Sequence, residues 1–407
     1  MAVGGIIAEY NPLHTGHLYH LRETANRCPD GVVVVLSGNA VQRAGPAAFD
    51  KFLRAEMAVK SGADLVLELP AIWSCASAER FAYGGVSILA ATGIVDTLSF
   101  GSESGETDGL FAAAEAVDAL SHADLQPYLL AGMTYAAARE AALRERFGDT
   151  AADLLRTPNN TLAIEYLRAN SRLDRPMNAM TVRRVGAGHD AETAIQGFAS
   201  ASHLRKLLAA GEFDAAARFF PENTVDLLRN AVEKGRFAPD WTPLEKTILW
   251  ELGTRTPEEM RMIPDVTEGL ENRFLDAVST SFTLSDLLTQ VKTRRYTHAR
   301  LRRILWQMML GSTAELQQSP PPYIRVLAMN ERGTRLLKEM KKKASLPIYH
   351  SMAQLQQDYP LHAGIEKRAT RLFSLCCTIP QPITEYPLIR PPVTDRVLSP
   401  RPFPHAQ

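Results

Sequence analysis

Short apolar runs alternate with helix-like segments over the first ~210 residues of the chain. Apolar runs flanked by Asp, Gly and Pro predict four β-strands, at residues 3–8, 32–36, 65–69 and 95–100. Helical spacing of apolar residues predicts helices at 18–26, 50–61, 78–91 and 109–119. Because the strands are apolar throughout rather than at every second position, we predict a parallel sheet covered on both faces. The pattern indicates an α/β fold with a Rossmann-like parallel-sheet core, which binds ligands at the carboxyl ends of its strands.

The pattern becomes mostly helical after residue 210. Apolar residues recur at helical spacing over 223–232, 243–252, 282–291 and 299–310. We therefore predict a first domain over residues 1–210 and a mostly α-helical domain over 211–378. Residues 379–407 contain eight prolines, which predicts a tail that is extended along the surface or disordered.

Size and composition are those of an ordinary globular protein. The 407 residues are 45% hydrophobic and 22% charged, enough for two domains or more. The amino terminus has no basic segment followed by a long apolar core, and no apolar run approaches the ~20 residues that cross a bilayer. Cys28, Cys75, Cys376 and Cys377 form no C-x-x-C pair, so we expect reduced thiols in a cytoplasmic protein. The sequence leaves the oligomeric state open.

Charge is distributed unevenly although the formal net charge is zero. Residues 64–120 contain nine acids and one base, whereas 292–303 contain six bases and no acid. Lys338, Lys341, Lys342 and Lys343 form a second basic block. Either block could be an ordinary solvated face, but together they favour a polyanionic partner.

The segment after the first predicted strand carries the strongest chemical signal. Asn11-Pro12 breaks the strand, and His14, Gly16 and His17 precede a helix start near Leu18. Strand, tight loop and helix is the arrangement that presents N–H groups and the positive helix end to a phosphate. The spacing of His14, His17 and His20 also allows a metal site or packed core histidines. Zinc usually needs a further Cys, Asp or Glu, so we predict no metal site here.

The H-x-G-H element resembles the nucleotidylyltransferase superfamily, and the run Gly5–His17 resembles the bacterial tRNA(Met) cytidine acetate ligase family. Leu13 and Thr15 depart from that family's N-P-F-H-N-G-H pattern. Further pieces of the resemblance follow in order over residues 3–345: Ser37-Gly38 with Gln42-Arg43, Phe100-Gly101-Ser102-Glu103, Pro158-Asn159-Asn160, Arg183-Arg184-Val185-Gly186, Ser200-Ala201-Ser202 with Arg205, and Arg295-Tyr296-Thr297 with Arg300.

The resemblance implies that His14 and His17 are catalytic and that ATP is bound by a longer set of residues. The implied ATP-binding residues are Ile7, Ala8, Glu9, Tyr10, Asn11, Pro12, Leu13, His14, Thr15, Gly16, His17, Leu18, Tyr19, His20, Gly101, Asn159, Asn160 and Arg184. The sequence leaves open whether Asn159 or Asn160 faces the nucleotide. Each imidazole could donate to the α-phosphate as its charge develops, and the following helix would aim unpaired N–H groups at the triphosphate.

Two further sets of residues are expected to contact phosphates. Ser200, Ser202 and Arg205 match an S-x-x-x-R element that grips the β and γ phosphates in nucleotidylyltransferases, although helix capping alone would explain the serines. Arg294, Arg295, Arg300 and Arg303 are expected to bind tRNA, since arginines beside an aromatic ring suit single-stranded RNA, although an amphipathic helix would also expose them. Gln42, Arg43, Asp50, Lys51 and Arg54 form a polar cluster that suits either substrate contact or a solvated loop.

The resemblance implies an ATP-dependent ligase that makes acetyl-adenylate and acetylates the wobble cytidine of elongator tRNA(Met). Residues 1–210 would be the ATP-binding catalytic domain and 211–378 the tRNA-binding domain. ATP would enter with Mg²⁺, held through its phosphates. A small-molecule nucleotidyltransferase and a catalytically decayed tRNA-binding protein are the alternatives. A class I synthetase is disfavoured, because Lys341-Lys342-Lys343-Ala344-Ser345 is a poor match to K-M-S-K-S.

Overall fold

The computed structural model describes residues 1–184 and 198–382. Its centre is a seven-stranded sheet in the order β5-β4-β1-β2-β3-β6-β7. The strands are β1 (Val3–Ala8), β2 (Gly31–Ser37), β3 (Leu65–Leu69), β4 (Thr97–Ser102), β5 (Asn178–Arg183), β6 (Ile324–Met329) and β7 (Ile348–Tyr349). The first five strands are mutually parallel, and β6 pairs antiparallel with β3. The strand order reverses between β1 and β4. This position is the switch point of the sheet, and parallel α/β sheets bind their ligands at such points.

Helices cover the sheet and form most of the carboxyl-terminal half. In the first half they are α1 (Thr15–Arg27), α2 (Lys51–Lys60), α3 (Ala71–Ser74), α4 (Ala78–Ala91), α5 (Thr107–Asp118), α6 (His122–Leu130), α7 (Tyr135–Phe147), α8 (Asp149–Leu154) and α9 (Pro158–Ser171). In the second half they are α10 (Ala201–Ala209), α11 (Phe213–Ala217), α12 (Val225–Glu233), α13 (Glu245–Gly253), α14 (Pro257–Arg261), α15 (Leu270–Val278), α16 (Leu284–Val291), α17 (His298–Leu310), α18 (Ala314–Gln318), α19 (Glu331–Lys343), α20 (Met352–Asp358) and α21 (Pro360–Cys376). Short 3-10 helices lie at Glu222–Thr224 and Thr242–Leu244.

The predicted α/β fold is confirmed, and each predicted strand and helix has a counterpart within a few residues. Apolar strands form because both faces of the sheet are buried. Side chains of β2 alternate between the two faces: Val33 and Val35 pack with α4, and Val32, Val34 and Leu36 pack with α2. A Cβ on Gly5 of β1 would lie 2.9 Å from the Leu89 side chain of α4, so glycine lets this helix approach the strand.

The sequence did not predict β6, which brings the carboxyl-terminal half into the sheet. Arg325 interrupts its apolar run, and its side chain is 1% exposed. Helices α13 and α17 share one continuous apolar core with β2 and α4. The division of the chain at residue 210 stays a prediction.

Two sequence predictions extend beyond the described residues. Val185 and Gly186 lie in the segment 185–197, and most of the proline-rich tail lies in 383–407; both segments are outside them. The described start of the tail, at Ile379, donates a backbone hydrogen bond to the carbonyl of Gly235. Among the helices that the structure describes, none is both long enough and apolar enough for a bilayer span.

Candidate active site

The run from Ile7 to His20 forms the end of β1, a tight loop and the first half of α1. Hydrogen bonds with distant segments hold the nucleotide loop, defined as residues 9–17, which includes the first residues of α1. The Oδ1 atom of Asn11 accepts a hydrogen bond from the Ala48 N–H at 2.6 Å, and the Asn11-Pro12 bond is cis. Arg205 donates to the Asn11 carbonyl at 2.7 Å. The loop is therefore fixed from both sides at the switch point of the sheet.

His14 and His17 have a defined orientation because each ring accepts a backbone hydrogen bond through Nδ1. His14 Nδ1 accepts from the Gly16 N–H at 3.0 Å, and His17 Nδ1 accepts from the His14 N–H at 3.3 Å. The ring centroids are 3.8 Å apart, and Tyr10 packs edge-on against His17 at 5.0 Å. Since a backbone N–H can only donate, each neutral imidazole carries its proton on Nε2. The site therefore has two oriented N–H donors.

Gly16 is required by the close approach of the His14 ring. A Cβ at this position would lie 2.9 Å from Cε1 of His14, nearer than real Cβ contacts allow. Any side chain here would push the imidazole away from its cap position. The glycine of H-x-G-H thus permits the position of the first histidine ring.

Helix α1 begins at Thr15, three residues before the predicted start, and His14 is its N-cap. The expectation that its unpaired N–H groups face the triphosphate is wrong for Thr15 and Gly16. The Thr15 N–H donates to the Phe219 carbonyl at 2.8 Å, and the Gly16 N–H donates to His14. These two N–H groups are therefore already engaged within the protein, and the positive end of the helix dipole lies beneath the imidazoles.

His20, one turn further along α1, faces the sheet. Its Nε2 lies 3.0 Å from Oγ of Ser99 on β4. Burial, with a contribution from Arg184, lowers the pKa of His20 to about 4, so the ring is neutral at physiological pH. Within residues 1–184 and 198–382, no group of three or more His, Cys, Asp and Glu side chains is arranged to hold a metal ion.

On the other side of the switch point, Gly101 lies inside the end of β4 and Glu103 follows it. The Pro158-Asn159-Asn160 segment is the first turn of α9 rather than a free turn. The Glu103 carboxylate accepts from Nδ2 of Asn159 at 2.6 Å and from the Asn160 N–H at 2.8 Å. Although burial opposes it, these donors lower the pKa of Glu103. An ionised Glu103 therefore joins β4 to the amino end of α9.

The two asparagines have different environments. Asn160 is buried, and its Oδ1 accepts from the N–H groups of Glu103 and Ser104 at 2.9 and 3.2 Å. Asn159 is half-buried, and its Oδ1 accepts from Nη1 of the exposed Arg184 at 3.2 Å. Asn159 and Arg184 thus share the surface next to Gly101, whereas the Asn160 side chain holds the loop beneath them.

The polar cluster behind β2 proves to be largely internal. Lys51 and Arg54 are 0% exposed, which excludes a solvated helix start for them. Arg54 donates to the carbonyls of Glu9 at 2.6 Å, Phe49 at 2.8 Å and Gly38. Burial lowers its pKa to about 10, which leaves it charged near neutral pH. Arg54 therefore connects the loops after β1 and β2, a role that the sequence did not reveal.

The remaining predicted residues are found on helices. Ser200 is the N-cap of α10 and accepts from the His203 N–H at 3.1 Å, Ser202 lies in the first turn, and Arg205 reaches the nucleotide loop. Arg295 pairs with Glu268 at 3.0 Å and Arg303 with Asp265 at 3.1 Å. Arg300 donates to the Asp265 carbonyl at 2.8 Å, and Arg294 is exposed. The structure thus brings Arg205, but none of these four arginines, into contact with the nucleotide loop.

Sequence reasoning missed Glu103 as the residue that positions Asn159. A signal was present, because an acid directly after a strand can accept from the donors of a Pro-Asn-Asn helix start. Arg54 gave no comparable signal, since a helical arginine is usually exposed.

Fold and site together define a nucleotidylyltransferase with an H-x-G-H nucleotide loop, and the HIGH nucleotidyl transferase family model matches residues 1–384. The chain is 37% identical over 385 residues to the tRNA(Met) cytidine acetate ligase of Thermoanaerobacter sp. strain X514, covering 92% of this chain and 95% of the relative. It is 39% identical over 363 residues to that of Caldanaerobacter subterraneus subsp. tengcongensis, covering 86% and 88%. The chain belongs to the tRNA(Met) cytidine acetate ligase family, as the sequence motifs predicted.

Solved structures agree with this assignment. The apo form of Thermotoga maritima TmcAL superposes with a TM-score of 0.86 at 30% identity, covering 94% of this chain and 96% of that one. A second structure of the same protein, bound with alpha-thio ATP, superposes with a TM-score of 0.85 at 30% identity, covering 94% and 95%. Both matches extend over the sheet and the carboxyl-terminal helices.

Proposed function

We propose that this chain is an ATP-dependent acetate ligase acting on tRNA(Met). In the first step an acetate oxygen attacks the α-phosphorus of ATP, pyrophosphate leaves, and acetyl-adenylate forms. In the second step the N4 amine of the wobble cytidine of elongator tRNA(Met) attacks the acetyl carbonyl, AMP leaves, and N4-acetylcytidine forms. The observation that carries this proposal is the oriented His14–His17 pair at the switch point, in a chain of this family.

ATP would bind across the switch point. The adenosine would lie over Gly101, against the hydrogen-bonded pair of Asn159 and Arg184, because this surface borders the nucleotide loop on the β4 side. The α-phosphate would accept hydrogen bonds from the Nε2–H groups of His14 and His17. Arg205 and the amino end of α10 would face the β and γ phosphates. Mg²⁺ would accompany ATP as a phosphate-bound ion, which is its usual mode in nucleotide sites.

The position of the basic segment 292–303 favours it as the tRNA-binding surface. Arg302 of α17 donates to the Ala44 carbonyl at 3.5 Å, and Gln307 donates to the Cys75 carbonyl at 2.7 Å. Ala44 and Cys75 follow β2 and β3, so α17 lies at the carboxyl ends of the strands, beside the candidate active site. An anticodon base at the site would therefore lie near this surface.

The basic helix α19 lies at the opposite end of the parallel strands, near their amino ends. Its N-cap, Asn330, donates to Asp64 at the start of β3 at 2.9 Å, and Ser345, which follows the helix, donates to the Ala91 carbonyl at 3.0 Å. The two ends of the sheet are separated by the length of a strand, roughly 17 Å for five residues. We therefore expect α19 to contribute little to positioning tRNA at the site, which makes it a matched control.

The proposed activity is tested with the wild-type protein. We expect acetate to drive ATP–pyrophosphate exchange, and mass spectrometry to find an acetyl group on the wobble cytidine of tRNA(Met) after incubation with ATP and acetate. Exchange that depends on a phosphorylated metabolite rather than on acetate would indicate a small-molecule nucleotidyltransferase. Binding of tRNA without any exchange would indicate a decayed enzyme.

Reversing exposed charges beside the site should weaken tRNA binding specifically. Lys292 and Arg294 are exposed, whereas Arg295, Arg300 and Arg303 also hold the local structure. The Lys292→Glu/Arg294→Glu variant should bind tRNA more weakly and lower the slope of log K against log salt by ~0.7–0.9 for each phosphate that it no longer neutralises. Filter binding over a salt series measures both quantities.

The control variant Lys341→Glu/Lys342→Glu makes the same change of net charge on α19. It should leave the affinity at physiological salt nearly unchanged. Equal reductions in affinity for the two variants would contradict the assignment of the surface, because they would show an effect of net charge alone.

A further inference from the structure

Glu9 is an acidic side chain inside the nucleotide loop whose contacts do not account for both carboxylate oxygens. Its main-chain carbonyl accepts from Arg54 at 2.6 Å, and its Oε1 accepts from the Gln42 N–H at 2.7 Å. No other hydrogen bond to this carboxylate occurs in the described part of the chain, so Oε2 can accept a proton. The residue is half-buried.

The contacts of Glu9 place its side chain on the β2 side of the nucleotide loop. We call this the acceptor side, because the surface proposed for tRNA also contacts it. In the sheet, β4 lies on one side of β1 and β2 on the other. The surface proposed for adenosine is on the β4 side, whereas Glu9 contacts the loop after β2. Arg302 of α17 contacts that same loop at Ala44. Glu9 and the surface proposed for tRNA therefore contact the same loop after β2.

Three other carboxylates near this end of the sheet are engaged elsewhere. Both oxygens of Glu103 accept from the amino end of α9. Glu68 is buried and accepts from Lys51 and Arg325. Asp50 caps α2 through one oxygen and pairs with Arg236 through the other. Glu9 is the acid that joins the nucleotide loop to the acceptor side.

We propose that Glu9 is the general base of the acetyl-transfer step, an inference that rests on the proposed function. The lone pair of the cytidine N4 attacks the acetyl carbonyl carbon and forms the N–C bond. The bond from this carbon to the phosphate oxygen breaks, and AMP leaves with its electron pair. The nitrogen must lose one proton, which Oε2 of Glu9 accepts and passes to water. AMP leaves as a stable phosphate anion and needs no proton from the protein.

The surroundings of Glu9 suit a proton acceptor. Burial raises the pKa of Glu9, against the Gln42 N–H and the charges of Arg205, Arg54 and Arg43, which lower it. Burial also raises the pKa of Tyr166 on α9 and of Cys75 after α3, and the charge of Glu9 raises both further, so these two groups stay neutral. A carboxylate with a raised pKa is a stronger base than an exposed one, and a positioned base contributes about 10²–10⁴-fold to a proton transfer.

The Glu9→Gln variant separates the base from its structural role, because the amide oxygen still accepts from the Gln42 N–H. Acetate-dependent ATP–pyrophosphate exchange reports the first step. Transfer of labelled acetyl from enzyme-bound adenylate to tRNA in a single turnover reports the second. We expect the ratio of transfer to exchange to fall at least ~100-fold. In the wild type, transfer should rise with pH through an ionisation that Glu9→Gln lacks, because a base acts above its pKa.

Glu106→Gln makes the same change of charge on an exposed residue after β4 and should leave the ratio unchanged. An unchanged ratio in Glu9→Gln would overturn the assignment, whether both rates were normal or both fell together. In the latter case Glu9 would serve nucleotide binding instead. A wild type without acetate-dependent exchange would overturn the proposed function, and this inference with it.

Discussion

The His14→Asn and His17→Asn variants should each lose about 100- to 1000-fold in the rate of acetate-dependent ATP–pyrophosphate exchange, equivalent to about 2.7–4 kcal/mol of transition-state stabilisation. Asparagine places an acceptor near the position of Nδ1 but has no group at Nε2. The hydrogen bonds from the N–H groups of Gly16 and His14 can therefore persist while the phosphate donor is removed.

Two controls show whether the loss of activity is chemical. Circular dichroism and tRNA affinity should match the wild type, because the helix cap and the basic surface are retained. His122→Asn, the same substitution at an exposed position at the start of α6, should leave exchange unchanged. Exchange within tenfold of the wild type in both loop variants would contradict the role of the imidazoles.

The Glu68→Gln variant should destabilise the folded protein by about 3–5 kcal/mol, a large part of the stability of a typical domain. Glu68 is 0% exposed and accepts from Lys51 Nζ at 2.6 Å and from Arg325 Nη1 at 2.9 Å. Glu366 lies 3.8 Å from Lys51 and accepts from the Ala71 N–H at 2.6 Å. Removing one negative charge leaves two buried cations with one buried anion. Urea unfolding followed by tryptophan fluorescence measures the change.

Restoring the balance of charge should recover part of this stability. The Glu68→Gln/Lys51→Met variant removes the excess cation and should be more stable than Glu68→Gln alone. Glu339→Gln breaks an exposed ion pair with Lys342 and should leave the unfolding midpoint unchanged. A Glu68→Gln midpoint close to that of the wild type would show that the cluster is not a stabilising junction.

This buried cluster also explains how the carboxyl-terminal half is attached to the parallel sheet. Arg325 belongs to β6 and Glu366 to α21, while Lys51 and Glu68 belong to α2 and β3. The four charges sum to zero and lie near the loop after β2, since a Cβ on Gly38 would lie 3.1 Å from Glu68 and 3.4 Å from Glu366. The junction that attaches the second half of the chain thus also supports one wall of the candidate site.

Strands β1 to β4, the helices with clear apolar periodicity and the nucleotide loop could be predicted because each depends on residues that are near in sequence. The apolar runs of β1 to β3 and the periodicity of α4 and α17 are local patterns. His14, Gly16 and His17 lie within four residues, and their contacts close within one helical turn. Local chemistry was therefore sufficient for the fold class, for the family and for the proposed ATP-binding loop.

Contacts between distant residues decided the rest. Arg325 and Glu68 are 257 residues apart, and Arg205 and Asn11 are 194 apart. No pattern within a short window shows that a helical arginine such as Arg54 will be buried against carbonyl groups, or that Glu103 will hold the start of α9. Such pairings depend on how the elements pack, because the cost of burying a charge is offset only where a partner is brought to it. By itself the sequence determined the fold class and the histidine pair, whereas tertiary packing decided the orientation of the two rings, the buried ion cluster and the position of Glu9.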